Sequence, residues 1–335
     1  MHTTSPDKIE QMLEEQQRAL DVLRGEIGKV IVGQHDVVEQ MLVCLLARGH
    51  VLLEGVPGLG KTLLVKTLAD ASSLAFKRVQ FTPDLMPGDI LGSEILEEDH
   101  TTGKRFFKFQ PGPIFTNILL ADEINRTPPK TQAALLESMQ EYCVTVAGET
   151  MALPQPYFVL ATQNPIEQAG TYPLPEAQLD RFLLNIHIDY PDAQDEVAIL
   201  RATTGAAGAK PQACLEASQL LAMQDLVREV SVSDDLYQYV AQLVRATRNQ
   251  NPDENLGKWI KWGAGPRAGQ ALILAAKARA FLHRRLAVTR ADIQALLLPV
   301  LRHRVLLSFQ AQADGIGIEQ VLGELRQAVP EPGRD

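Results

Sequence analysis

The segment Gly55-Val56-Pro57-Gly58-Leu59-Gly60-Lys61-Thr62 has the GxxxxGK[ST] spacing of a loop that cradles phosphate. Glycines let successive backbone N–H groups turn inward onto phosphate oxygens, and a helix beginning at Lys61 adds its positive end. A lysine at a helix start is disfavoured by about 0.3–1 kcal/mol unless an anion sits there. Lys61 is thus suited to reach the β- and γ-phosphates, and Thr62 to offer its hydroxyl to Mg²⁺ bridging them. Further on, the apolar run Ile118-Leu119-Leu120-Ala121 delivers Asp122 and Glu123 at its end. Open α/β sheets place ligands beyond the carboxyl ends of their strands. Asp122 would hold the magnesium, directly or through water, and Glu123 would polarise an attacking water. The two groups together indicate nucleotide hydrolysis, of ATP or of GTP.

Such a site needs a strand, a glycine turn and a helix in succession, and the chain supplies them. His50–Glu54 is a short apolar strand candidate and the stretch from Lys61 reads as a helix. Further strand candidates are Phe76–Phe81, Ile114–Ala121, Tyr157–Thr162 and Leu183–Ile188, with a helix over 128–140. Helices are also expected over 7–24 and 34–48. Alternating strands and helices predict an α/β fold with a mostly parallel sheet covered on both faces. Residues 92–109, with a turn at Thr102-Gly103, and 142–153, with a turn near Gly148, read as two β-hairpins inserted into that framework. After Pro191 the pattern becomes helical, with candidates at 194–204, 216–229, 233–248, 266–285, 289–298 and 318–328. The expected division is a nucleotide-binding core over 1–190 and an all-helical lid over 191–335.

Charge divides near the same point. Residues 1–190 carry 15 Lys/Arg against 25 Asp/Glu, a net −10, and residues 191–335 carry 17 against 16, a net +1. No long basic run offers a track for a phosphate backbone, so a dedicated nucleic-acid binder is disfavoured. The three cysteines, Cys44, Cys143 and Cys214, are widely separated, which suits a reducing compartment and argues against a disulfide scaffold. The seven histidines form no HExxH and no compact cluster with Cys or carboxylates, so His187 reads as structural and magnesium is expected to arrive with the nucleotide. The start of the chain lacks a signal-peptide stretch and no apolar run is long enough to cross a membrane. A cytoplasmic protein is the expectation.

A wider ordered set of motifs resembles one family. It comprises Val32-Gly33-Gln34, Gly55–Thr62, Phe109-Gln110-Pro111-Gly112-Pro113-Ile114-Phe115 and Asp122-Glu123-Ile124-Asn125-Arg126. It continues with Ala161-Thr162-Gln163-Asn164-Pro165, Tyr172–Phe182 and Trp262-Gly263-Ala264-Gly265-Pro266-Arg267-Ala268. Together they resemble AAA+ ATPases of the MoxR kind, near the helix-2-insert branch that also holds the magnesium-chelatase ATPase subunit. The resemblance implies an AAA+ P-loop nucleotide hydrolase core followed by a helical lid, with ATP and Mg²⁺ as cofactors. Gly265 departs from the serine common there.

Carried over by motif, Asn164 matches the first sensor, whose amide would hydrogen-bond a water or the γ-phosphate; a turn-forming Asn before Pro165 is the plainer reading. Arg181 matches the arginine finger, or else pairs on the surface with Asp180 or Glu176. Arg267 matches the second sensor on the lid, or pairs with a local carboxylate. The resemblance further implies a homo-oligomeric ring, expected to be a hexamer. It implies chaperone-like remodelling, assembly or cofactor-linked activation of a client protein complex, with a von Willebrand factor A-domain partner. A nucleic-acid-linked motor and a nucleotide-dependent binding module with weak hydrolysis are the alternatives. In the first hairpin Phe106, Phe107 and Phe109 alternate imperfectly with Arg105 and Lys108, and could pack on the hairpin's own core or meet a substrate.

Overall fold

The computed structural model describes residues 6–330 apart from 99–100, 102, 147, 166–169, 206–208 and 249–253. The chain opens with helices α1 (Pro6–Gly28) and α2 (His35–Leu46). Strand β1 (Val51–Glu54) then leads through the glycine loop into α3 (Lys61–Ala71). Next come β2 (Phe76–Gln80), a short α4 (Pro87–Leu91), and an antiparallel hairpin of β3 (Gly92–Glu98) and β4 (Arg105–Pro111). They are followed by β5 (Ile118–Asp122), α5 (Pro129–Glu141), a second hairpin of β6 (Cys143–Val146) and β7 (Glu149–Ala152), and β8 (Phe158–Gln163). The one-turn α6 (Glu176–Leu179) precedes β9 (Leu184–His187). The five remaining strands form one sheet in the order β2-β5-β8-β1-β9, parallel throughout.

Burial on both faces explains why these strands read as unbroken apolar runs. Side chains alternate across the sheet with period two. Val51, Leu53, Ile118, Leu120, Phe158 and Leu160 enter one core, beneath α1–α3, while Leu52, Leu119, Ala121, Val159 and Ala161 enter the other, beneath α4 and α5. The expected strand at Ile114–Ala121 begins later. Gly112–Thr116 instead forms tight turns, in which Phe115 N–H donates to the Gly112 carbonyl and Thr116 N–H to that of Ile114. Ile114 is buried in a core without being in a strand. Both expected hairpins are present, although Thr102 of the first turn lies outside the described residues.

Beyond β9 the chain is helical. The elements are α7 (Ala193–Thr204), α8 (Ala217–Glu229), α9 (Asp234–Ala246), α10 (Glu254–Trp259), α11 (Pro266–Leu282), α12 (Arg290–Leu301), α13 (Phe309–Ala313) and α14 (Ile318–Ala328). To the expected helices the structure adds α10, α13 and a small antiparallel ribbon, β10 (Ile260–Trp262) with β11 (Leu306–Leu307). Strands of three and two residues carry too little periodicity to be read in advance. Among the described residues no helix is long and apolar enough to cross a membrane.

Two buried ionisable groups tie these layers together and set a pH limit. His50, ahead of β1, accepts a hydrogen bond on Nδ1 from Val159 N–H (3.1 Å) and donates from Nε2 to the Met139 carbonyl (3.0 Å). Burial pushes its pKa down to about 4 despite the Met139 carbonyl. In the helical part, the fully buried Asp292 carboxylate accepts from Arg279, Arg285 and both the N–H and hydroxyl of Thr289. Burial alone would raise its pKa, but these donors hold it down at about 2. The unfolded chain protonates a histidine near pH 6.5, so between there and pH 4 it binds the proton that native His50 refuses. Stability from His50 is therefore full above pH 6.5 and falls by about 3 kcal/mol towards pH 4. Asp292 adds a loss of about 2 kcal/mol between pH 4 and pH 2. Urea unfolding at pH 7.5, 5.5 and 4.5 should show this decline, and a flat profile would contradict it.

Candidate active site

The parallel register assembles the site. β5 pairs with β8 so that Ala121 faces Ala161, and β8 pairs with β1 so that Gln163 faces Glu54. The residues next in line, Asp122 with Glu123, Asn164, and Gly55 with its loop, therefore leave the sheet side by side at its carboxyl end. In the loop, Gly58 and Gly60 adopt φ of +87° and +75°, values open to glycine at no steric cost. Gly60 is the N-cap of α3 and no side chain caps that end, so the first-turn N–H groups stay available to an anion. Lys61 Nζ donates to the Gly55 carbonyl at 2.5 Å. Partial burial lowers the pKa of its ammonium, while the charges of Asp122 and Glu123 oppose that shift. The lysine and both carboxylates thus share one electrostatic environment.

Each carboxylate has defined partners. Asp122 Oδ1 accepts from the Thr162 hydroxyl (2.6 Å), and the same Thr162 oxygen accepts from Glu123 N–H (2.8 Å). Asp122 Oδ2 accepts two bonds from Arg78 on β2, at 3.0 and 2.6 Å. Glu123 Oε2 accepts from Gln80 Nε2 (2.8 Å) and pairs with Arg126 Nε (3.0 Å). The Glu123 backbone is left-handed, with φ 58°, a strained conformation for a non-glycine residue that is common at functional sites. Asn164 is buried at the end of β8. The hydroxyl of Thr62 and the carboxylate of Asp122 are hard oxygen donors of the kind magnesium prefers. Among the described residues no three His, Cys, Asp or Glu side chains gather as a metal cage, and magnesium bound through phosphates uses none.

Arg181 and Arg267 lie elsewhere. β9 runs parallel to β1, with Leu184 opposite Val51 and His187 opposite Glu54. Arg181, three residues before β9, thus sits at the amino end of the sheet, whereas the glycine loop lies beyond the carboxyl end. The strands alone separate the two ends by about 10 Å. Arg267 follows Pro266 at the start of α11, and its guanidinium lies 4.0 Å from Asp180. The local carboxylate pair that sequence allowed for Arg267 is therefore present, and Asp180 bonds Arg304, at 2.7 Å, far more closely.

The far end of α11 packs against α2, and Gln34, the residue that opens α2, donates from Nε2 to the Leu59 carbonyl of the glycine loop (3.3 Å). Arg279 Nε donates to Glu39 on α2 (3.1 Å) and His283 lies 3.0 Å from the same oxygen. Twelve residues of helix put Arg267 about 18 Å from Arg279. Ahead of α11, Gly263 lets the chain pass close to the end of α9, because a Cβ there would lie 2.2 Å from the Thr247 carbonyl oxygen. Ala264 N–H also donates to Thr247 Oγ1 at 2.9 Å. The structure therefore groups Lys61, Thr62, Asp122, Glu123 and Asn164 at one end of the sheet, and Arg181 with Arg267 at the other. His187 pairs with Glu54 at 3.3 Å.

Sequence reasoning left Arg78, Gln80 and Arg304 without roles, and named Asp180 only as an alternative surface partner of Arg181. Thr162 and Arg126 stood inside motifs already singled out. A cation in the middle of a strand was the one available signal for Arg78; Arg304 gave none, since its partners at Asp180, Phe182 and Leu183 lie more than a hundred residues away.

A five-stranded parallel sheet with a phosphate loop at its carboxyl end and helices behind it defines an AAA+ ATPase core with its lid. Residues 50–184 match the ATPase family associated with various cellular activities (AAA), and residues 257–325 match the AAA lid domain. The chain is 44% identical over 312 residues to the protein named Chaperone MoxR1 of Mycobacterium tuberculosis, covering 92% of this chain and 81% of that one. It is 44% identical over 307 residues to the uncharacterised protein YeaC of Bacillus subtilis, covering 91% and 92%. A crystal structure of a candidate ATPase from Cytophaga hutchinsonii superposes with a TM-score of 0.90 at 40% identity, over 97% of this chain and 98% of that one. The chain belongs to the MoxR family of AAA+ ATPases.

Proposed function

We propose that this protein is a magnesium-dependent ATPase that works as a homo-oligomeric ring, with each active site shared between two subunits. The observation that carries the reading is the separation of the groups. The phosphate loop and carboxylates stand at one end of the sheet and the two arginines at the other, so one chain holds two incompatible halves of a phosphoryl-transfer site. A head-to-tail contact between copies joins the halves, and such heterologous contacts make a ring when the rotation between copies closes. A six-membered ring follows from the family resemblance, as does the place of the β3–β4 hairpin in the helix-2-insert branch. The end of the sheet at β9 supports a division into a core to residue 190 and a lid from 191.

In this reading the loop N–H groups and Lys61 bind the β- and γ-phosphates, and Thr62 and Asp122 would hold Mg²⁺. When bound, the metal neutralises charge on the terminal phosphates. Glu123 swings from Gln80 to accept the proton of the attacking water, Asn164 orients that water, and Arg181 and Arg267 of the neighbouring copy stabilise charge on the departing γ-phosphoryl. Turnover would drive chaperone-like remodelling, assembly or cofactor-linked activation of a client protein complex in the cytoplasm, together with a von Willebrand factor A-domain protein. The name Chaperone MoxR1 of the Mycobacterium relative supports the chaperone part.

Light scattering with and without ATP and Mg²⁺, combined with turnover across protein concentration, tests the shared site. Specific activity should rise as the assembly forms. Turnover by a monomer at a concentration-independent rate would overturn the ring.

A further inference from the structure

The turn that carries Arg181 is gripped from the helical region by one buried side chain. Arg304, just past the end of α12, is 4% exposed. A guanidinium has five N–H donors, and here each has an acceptor. Nε donates to Asp180 Oδ1 (2.7 Å), one terminal nitrogen to the Leu183 carbonyl (3.1 Å) and the Val300 carbonyl (2.6 Å), and the other to the Asp180 and Phe182 carbonyls (3.2 and 2.6 Å). The Asp180 carbonyl belongs to the peptide just before Arg181 and the Phe182 carbonyl to the second peptide after it, so the turn is held on both sides of Arg181. His303 adds a contact from Nε2 to the Phe182 carbonyl at 3.1 Å. The Asp180 carboxylate then bridges Arg304 on one oxygen to Arg267 on the other.

We infer that Arg304 is the positioning residue of the trans-acting arginines: with Asp180 it locks the Arg181 backbone and the Arg267 guanidinium into one unit, so that the helical region sets where both point. This rests on the shared-site reading above. Planarity matters, because only a guanidinium fork serves a carboxylate and three carbonyls of one turn at once. A lysine keeps the charge but has too few donors in the wrong directions. Loosening the turn displaces the finger, and a misplacement of about 1 Å costs on the order of 10²-fold in rate.

The test measures ATPase kinetics of the full-length assembly for Arg304→Lys, Arg181→Ala, Arg181→Ala/Arg267→Ala, and that last pair with Arg304→Lys added. Arg304→Lys should lose kcat by about 10²-fold with KM for ATP little changed. Adding Arg304→Lys to an Arg181→Ala/Arg267→Ala variant should cost nothing further, because Arg304 acts through those two residues. Mixed with Lys61→Ala, which lacks a working loop but keeps its clamp, Arg304→Lys should regain turnover, because its own loop is served by the neighbour. Asp180→Asn keeps the shape and three of the four contacts to the turn, and should lose about tenfold; it decides the matter if Arg304→Lys does not fold by thermal melting.

Wild-type kcat in Arg304→Lys or Asp180→Asn would overturn the inference. So would a further loss when Arg304→Lys is added to Arg181→Ala/Arg267→Ala, or a defect that mixing leaves in place. If Arg181→Ala itself keeps full turnover, the shared-site reading fails first. If Arg181→Ala is inactive while Arg304→Lys is not, only the clamp fails.

Discussion

Equal mixtures of Arg181→Ala and Lys61→Ala subunits are expected to hydrolyse ATP although each alone is inactive. Arg181→Ala should lose about 10³–10⁵-fold in turnover, the range seen for arginine fingers, and should still bind ATP through its intact loop. Lys61→Ala lacks the phosphate lysine but presents a normal finger. In a randomly mixed head-to-tail ring, about a quarter of the interfaces pair an intact loop with an intact finger, and activity should return in that proportion. Arg267→Ala gives the sharper comparison. Its position beside Asp180 and about 18 Å along α11 from the loop-side contacts predicts the same rescue by Lys61→Ala. If Arg267 served its own subunit, that mixture would stay inactive while the Arg181→Ala mixture recovered.

Glu123→Gln should abolish turnover by on the order of 10²–10⁴-fold, the usual contribution of a general base, while leaving ATP bound. The amide keeps the size of the side chain and can still meet Gln80, but it cannot take a proton from water. Trapped in the ATP state, this variant should retain client and partner proteins through a pull-down that wild type releases. Lys61→Ala, which does not hold ATP, should recover neither. Equal recovery by both variants would separate binding from the nucleotide. Near-normal turnover in Glu123→Gln would move the base elsewhere.

The local parts of this site were legible because each is written in one short stretch. The glycine loop, the lysine at a helix start and the carboxylates ending an apolar strand need only neighbouring residues and a strand direction. The alternation of strands and helices likewise exposed the parallel sheet, and the two hairpins betrayed themselves by turn residues between short stretches that break that rhythm. What sequence withheld depends on register and on long-range packing. Arg78 and Gln80 reach Asp122 and Glu123 only because β2 lies beside β5 with Gln80 opposite Asp122. Arg304 meets Asp180 across 124 positions. The strand expected at Ile114 was misplaced because burial and extended pairing coincide in composition but not in hydrogen bonding. The separation of Arg181 and Arg267 from the loop needed two facts together, the parallel pairing of β9 with β1 and the course of α11 away from Glu39.

β2 is also the outer strand of the sheet, paired on one side only, with Lys77, Arg78 and Gln80 exposed. An unguarded edge strand invites another chain to add to it, and charged side chains are a common deterrent. Here Arg78 is both part of the deterrent and the support of Asp122. Evolution could not soften the grip on Asp122 by making position 78 apolar without also making the protein stickier. The chemistry at the sheet's end and the colloidal behaviour of its rim are therefore tethered to one another, and drift at this strand is restrained from two directions at once.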